Sequence, residues 1–176
     1  MNGADLSRLL LPIRPEDHIF GPETAEVTLV EYGDYECPAC GQLFTAIHRM
    51  QETMPDRLRV AFRHYPLSGI HPHAQLAGEA AEAASAQGEF WRMHDLLFEH
   101  QNRLERKHLS GYAEQLGLDM KRFSSELKHG MYAEIVREDF RRGVQNGVYG
   151  TPGLFVNGVR FNGPYDAESI LAVSVG

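Results

Sequence analysis

The sequence predicts a mixed α/β fold in which a strand–helix–strand unit and a terminal β-hairpin with helix are separated by a long helical stretch. Three patterns predict it. Two β-prone runs, 27–32 and 58–63, flank an amphipathic helical repeat; residues 72–147 carry helical periodicity without β-rich runs; and Asn157-Gly158 separates two β-prone triplets. With 176 residues, 43% of them apolar, the chain is long enough to bury the core of one domain with a large insertion. There is no internal repeat and no low-complexity tract.

Residues 1–26 carry Pro12, Pro15, Gly21 and Pro22 among charges and read as an N-terminal extended arm whose first dozen residues are expected to be mobile. In 27–32, Val27, Leu29 and Glu31 share one face and Thr28, Val30 and Tyr32 the other. Both faces are mostly apolar, as in a strand at the centre of a sheet. Leu43, Ile47, Met50 and Met54 then recur at helical spacing, and Pro55 ends the helix. Leu58, Val60 and Phe62 alternate with arginines, giving a second strand, expected parallel to the first. The domain assignment is 27–71 with 148–176 for the α/β part, and 72–147 for an inserted helical part.

Within the insertion, helical faces are marked by Leu76 to Ala84, by Phe90, Met93 and Leu97, by Leu109 to Leu116, and by Tyr132, Val136, Phe140 and Val144. Arg137, Arg141 and Arg142 are expected on a solvated outer face. Phe90 to His94, with Trp91, reads as core packing. Asn157-Gly158 sets a hairpin, and a helix from Asp166 to Val175, with Asp166 as N-cap, closes the chain.

The 17 basic and 24 acidic residues give a net charge of −7, which argues against nucleic acid as a partner. The apolar patch Leu9–Ile13 is too short for a secretory signal, and no run is long enough to span a membrane. Direct membrane insertion is therefore not expected. The expected localisation is cytoplasmic, or periplasmic if a leader has been removed.

The two cysteines, Cys37 and Cys40, lie in Cys37-Pro38-Ala39-Cys40 at the opening of the first helix. So short a loop makes a poor structural staple, because closing it removes little unfolded-state entropy. At a helix N-terminus, unpaired N–H groups and the helix dipole favour an anion, so the position suits a thiolate. His71-Pro72-His73 supplies two imidazoles for a Cys₂His₂ alternative. Its separation of roughly 30 residues from the thiols is unlike compact zinc modules, and no metal is expected.

These features together resemble the DsbA-like thiol:disulfide oxidoreductases of the thioredoxin superfamily: Cys-x-x-Cys at the first strand-to-helix junction, Glu31 six residues before Cys37, Thr151-Pro152 just before the hairpin, and a helical insertion. The resemblance implies a thioredoxin-like fold over residue 27 to about 175, without a bound cofactor beyond a redox-active Cys37–Cys40 disulfide. It implies that Cys37 is the exposed nucleophile, Cys40 the resolving thiol, and Glu31 a buried acid that takes the proton of Cys40. It also implies a cis-proline loop in which Thr151 and Pro152, with Pro38 and Ala39, meet the substrate. The partners would be protein or peptide thiols and disulfides, with a separate redox partner for recycling. Similar domains also occur attached to the cytoplasmic end of some bacterial sodium/proton antiporters, so the alternative is a redox-sensing regulatory or binding module without turnover.

The residues themselves suggest how strong the redox couple is. Ala39 offers no donor to a thiolate, and Asp34 and Glu36 are expected to oppose it, which predicts a moderate couple rather than a strongly oxidising one.

Overall fold

The structure, a computed structural model, describes residues 6–174. The sheet is ordered β1-β3-β2-β4-β5, from strands His18–Phe20 (β1), Val27–Gly33 (β2), Leu58–His64 (β3), Gly153–Val156 (β4) and Val159–Phe161 (β5). Strands β2 and β3 are parallel, with Glu31 beside Phe62, and helix α1 (Pro38–Thr53) connects them. Strand β4 joins β2 antiparallel, so Glu31 sits between Phe62 and Leu154 at the sheet centre. The hairpin turns on Asn157 (φ 48°) and Gly158 (φ 78°), the left-handed pair that a tight two-residue turn requires. Helix α7 (Ala167–Ser174) is capped by Asp166, whose carboxylate accepts from the Ser169 amide at 2.8 Å; Val175 lies outside the described residues.

The insertion is built of α2 (Ala74–Ser85), α3 (Phe90–Glu99), α4 (Arg106–Gln115), α5 (Met120–Lys128) and α6 (Ala133–Gln145). Its core of Ala77, Ala80, Ala84, Met93, Leu97, Leu109 and Phe123 is continuous with Tyr35, Cys37 and Cys40. A second cluster of Leu29, Leu43, Met50, Leu58 and Ile170 continues along the same face of the sheet, and Val30, Tyr32, Ala61 and Phe155 pack on the other face. Among the described residues no helix is long and apolar enough to cross a membrane.

Three expectations are corrected. Residues 6–26 do not run as a free arm: β1 pairs with β3, and the Leu10 and Leu11 amides both donate to Asn146 Oδ1, at 2.7 and 3.0 Å. Residues 1–5 lie outside the described part. Arg63, expected on a polar face, is wholly buried, because this N-terminal stretch covers that side of the sheet. Its guanidinium meets Asp17 at 2.6 Å, the Tyr32 hydroxyl at 2.7 Å and the carbonyls of Leu11 and Pro12. In α6 the inward face is Val136, Asp139, Arg142 and Gly143, while Val144 is 48% exposed. Arg142 is therefore buried, its guanidinium 3.4 Å from the Pro12 carbonyl. Helix α5, which the sequence reading passed over, starts at Asp119, whose carboxylate accepts from the Arg122 amide.

Candidate active site

The centre of the site is the bend between β2 and α1. Cys37 is the N-cap of α1, with extended backbone (φ −81°, ψ 121°), and Pro38 follows at the first helical position, where a missing N–H costs nothing. The Cys37 sulfur thus occupies the place of a capping side chain, in front of the free amides of Ala39 and Cys40. Both cysteines are thiols. Contrary to the expectation of an exposed nucleophile, Cys37 is only 6% exposed and Cys40 is fully buried, because Thr151 and the insertion close over them. Pro38 is exposed and Ala39 half-buried, forming the outer lip.

The Cys37 thiol is pushed down to about 5. The hydrogen bond donated by the Cys40 thiol does most of this, against the cost of burial, and the Thr151 side chain and the Cys40 and Ala39 amides add to it. Cys40 moves the other way, well above its ordinary value, through burial, its bond to Cys37 and the charge of Glu31. Glu31, 2% exposed, is raised to about 8 by burial and then by Cys37. Its Oε1 has no hydrogen-bond partner, so the carboxyl is held as a neutral acid near pH 7 with a free oxygen.

The Thr151–Pro152 peptide bond is cis. The Thr151 carbonyl accepts from Cys37 Sγ–H at 3.4 Å, and its buried hydroxyl oxygen has no other partner. Tyr165 donates to the Pro152 carbonyl at 3.1 Å. A cavity of about 450 Å³ runs beside this loop, lined by Tyr149, Thr151, Pro152 and Tyr165 among others. An apolar groove of about 630 Å³ that shares Tyr149 with this cavity is lined by Leu67, Ile70 and Phe140 among others.

The structure thus brings together all seven of the residues singled out from sequence, and it adds three contacts that the sequence reading missed. Gln101, just after α3, donates from Nε2 to the carbonyls of Tyr35 (3.0 Å) and Cys37 (2.8 Å), clamping the bend from the insertion. His71 and His73 do not approach the thiols as ligands: their Nδ1 atoms lie 2.7 Å from Asp34 Oδ2 and Glu36 Oε1 respectively. Proximity of Asp34-x-Glu36 to Cys37 was visible in the sequence, but nothing there linked it to a loop more than thirty residues on. Tyr35 and His94 bond through the Tyr35 hydroxyl and His94 Nδ1 at 3.1 Å inside an aromatic cluster, as the core reading of Phe90–His94 expects.

A thioredoxin-type sheet with a helical insertion, and Cys37 and Cys40 at the first helix N-terminus, is a thioredoxin-superfamily architecture with the fold of DsbA-like structures. The chain belongs to the thioredoxin family, whose model matches residues 14–173. It is 47% identical over 165 residues to Na(+)/H(+) antiporter NhaA 1 of Salinispora arenicola, covering 93% of this chain and 25% of that protein. The chain therefore spans about a quarter of the length of the curated relatives it matches. Among solved structures, oxidised BdbD from Bacillus subtilis superimposes with a TM-score of 0.80 at 24% identity, covering 90% of this chain and 91% of that one. The thiol-disulfide exchange protein alpha-DsbA2 from Wolbachia pipientis gives 0.77 at 19% identity, covering 90% and 86%. A periplasmic thioredoxin-like protein from Salmonella enterica serovar Typhimurium gives 0.69 at 23%, covering 90% and 88%. At these identities the likeness is one of fold.

The cytoplasmic placement expected from sequence is corrected by this comparison: the solved structures that share the fold include a periplasmic thioredoxin-like protein. The expectation rested on the absence of a leader, and a stretch that matches a quarter of longer relatives carries no information about leaders.

Proposed function

We propose that the chain is a thiol:disulfide oxidoreductase that exchanges disulfides with protein or peptide substrates through a Cys37 mixed disulfide, resolved by Cys40. The observation that carries this reading is a Cys37 thiol pushed down to about 5 beside a buried partner thiol and a neutral buried acid. Only a thiolate attacks a disulfide, and a thiol at that value is almost wholly thiolate at pH 7.

In the reductive direction, Cys37 S⁻ attacks one sulfur of the substrate disulfide and the other sulfur leaves as a thiolate. Cys40 then gives its proton to Glu31 in its carboxylate form, whose share grows as the pH rises toward about 8, and attacks the Cys37 sulfur, which expels the second substrate thiolate. The substrate disulfide is reduced and the Cys37–Cys40 pair oxidised; substrate oxidation is the same sequence reversed. Thr151, Pro152, Pro38 and Ala39 line the approach, and an extended segment laid along the Thr151 backbone would pair as an added strand. A thiol at about 5 lies between the values of ~7 for thioredoxin and ~3.5 for DsbA, which supports a couple of intermediate oxidising strength.

Equilibrating the protein with glutathione mixtures, with Cys37 alkylation followed across pH, tests the reading. A Cys37 titration near 8.5 together with no disulfide under oxidising mixtures would overturn it.

A second reading is favoured by the antiporter relatives, which match 93% of this chain: a redox-sensing module whose Cys37–Cys40 state alters contact with a partner protein. Catalytic reduction of a protein disulfide supports the enzyme; stoichiometric oxidation without turnover supports the module.

A further inference from the structure

Away from the thiols, two imidazoles and one carboxylate from three different elements converge on a point. His18 Nε2, from β1, lies 2.6 Å from Glu82 Oε1; His64 Nε2, from the adjacent β3, lies 2.8 Å from that same oxygen. Glu82 belongs to α2, so the triad joins the edge of the sheet to the first helix of the insertion. His64 and Glu82 are buried, and His18 is 16% exposed in its side chain, at the mouth.

Each member is held in place by its surroundings. The His18 ring stacks on Phe90 with centroids 3.4 Å apart and planes 5° from parallel. The His64 amide donates to Asp139 at 3.0 Å. Helix α2 approaches the His64 ring at Gly78, where a Cβ would stand 3.2 Å from Nδ1. The thiol chemistry uses none of these residues.

We propose that His18, His64 and Glu82 form a binding site for a divalent transition-metal ion of the zinc type. Two imidazole nitrogens and a carboxylate are the donor set of a three-ligand zinc site with a fourth position left open. The three ligand atoms lie within 4.8 Å of one another. Ligands ~2.0–2.1 Å from a tetrahedral ion stand ~3.3 Å apart, so binding opens the present contacts by ~0.5–0.7 Å and replaces the two hydrogen bonds to Oε1. Each ring must then present an unprotonated Nε2 to the ion, keeping a proton on Nδ1, and any second ring proton is released to solvent on binding.

The open position has an approach. A cavity of about 500 Å³ has His18 and Glu82 in its wall, and it holds five further carboxylates against two arginines, Arg14 and Arg141. The excess of negative charge favours a cation at its floor, and the cavity has room for water as the fourth ligand. An ion there would pin β1 and β3 to α2, and so tie the sheet to the insertion.

The test uses the full chain carrying Cys37→Ser and Cys40→Ser, so that no sulfur ligand competes. Titration with Zn²⁺ is expected to show one equivalent bound and a raised Tm, because an ion that binds only the folded state stabilises it. Co²⁺ is expected to give ligand-field bands without a thiolate charge-transfer band. Adding His18→Gln should weaken Zn²⁺ binding at least ~10-fold and abolish the rise in Tm, and Glu82→Gln should do the same. His18 sits at the mouth, so H18Q decides the matter should E82Q fail to fold. Failure of the parent to bind Zn²⁺, or H18Q binding as tightly as the parent, would overturn the proposal. Neither result bears on disulfide exchange, which the serine variants have already removed.

Discussion

Replacing Cys40 with alanine asks what holds the Cys37 thiolate. The thiol is pushed down to about 5 from an ordinary 9.0, which at ~1.4 kcal/mol per pH unit is a preference of ~5 kcal/mol for the charged form. The largest favourable share comes from the hydrogen bond donated by Cys40 Sγ–H, ahead of the Thr151 side chain and the amides of Cys40 and Ala39. A hydrogen bond to a charged acceptor contributes ~1.5–3 kcal/mol, so Cys40→Ala should carry the Cys37 titration up to ~6–7. Cys40→Ser keeps a donor in place and should stay within ~1 pH unit of the parent. The assay is the rate of Cys37 alkylation by iodoacetamide against pH. Only the thiolate reacts, so the rate is lost as pH falls through the titration and is level above it. In the parent that loss centres near 5; in C40A it centres near neutrality. An alanine variant that still titrates at about 5 refutes this account and leaves the helix N-terminus and Thr151 as the whole source of the shift.

Glu31→Gln should slow resolution of a Cys37 mixed disulfide ~100-fold, the lower end of general-base contributions, while alkylation of Cys37 at pH 7 stays nearly unchanged. In the parent the resolution rate should climb as pH rises through about 8, where Glu31 ionises, and the variant should lose that climb; equal slowing of attack and resolution would remove the proton-accepting role. Asn146→Ala deprives the Leu10 and Leu11 amides of their shared acceptor. It should cost ~2–3 kcal/mol in urea unfolding and open the chain near Pro12 to limited proteolysis; a cleavage pattern like the parent's would contradict the docking. Gly143→Ala places a Cβ 2.5 Å from Tyr65 Cδ2, and that ring is held by its stack on Phe140 and its hydroxyl bond to the Val148 carbonyl. A loss of ~1–3 kcal/mol is expected from overpacking, and an unchanged Tm would show that Tyr65 gives way.

The parts of the fold legible in the sequence are those with a local period. Strands β2 and β3, helix α1 and the Asn157-Gly158 hairpin are each set by neighbours a few residues apart. The thiol pair and Thr151-Pro152 were likewise found as short motifs in order. What escaped is set by long-range polar contacts. Hydropathy alternation in β3 turns Arg63 outward, but that face is lined by Asp17, the Tyr32 hydroxyl and two carbonyls, a surface on which a guanidinium can be buried with its donors satisfied. In α6, steps of four through apolar residues select Val144, whereas the helix lies on polar partners and turns Asp139, Arg142 and Asn146 inward with Gly143. Strand β1 is three residues long and has no period to read. Gln101 carries no local signal, since the carbonyls it holds are 64 and 66 residues away in the chain.

The acidic residues beside Cys37 show how such contacts alter the chemistry. From sequence, Asp34 and Glu36 should raise the thiol, by repulsion between like charges. In the fold their oxygens are directed elsewhere. Asp34 Oδ1 accepts from the Glu36 amide at 2.8 Å, and Oδ2 accepts from the Leu67 amide at 2.8 Å beside His71. Glu36 accepts from the His73 amide at 2.8 Å and meets the His73 ring. Neither carboxylate is among the largest influences on Cys37, which come from Cys40, burial, Thr151 and the Cys40 and Ala39 amides. Their lone pairs are spent on bonds that hold the segment from Leu67 to His73 against the bend, and a thiol, two amides and a hydroxyl are left to face the sulfur. A residue's charge near a nucleophile therefore decides little until its hydrogen bonds are known. Here those bonds turn an expected opponent of the thiolate into the frame that fixes the mouth of the site.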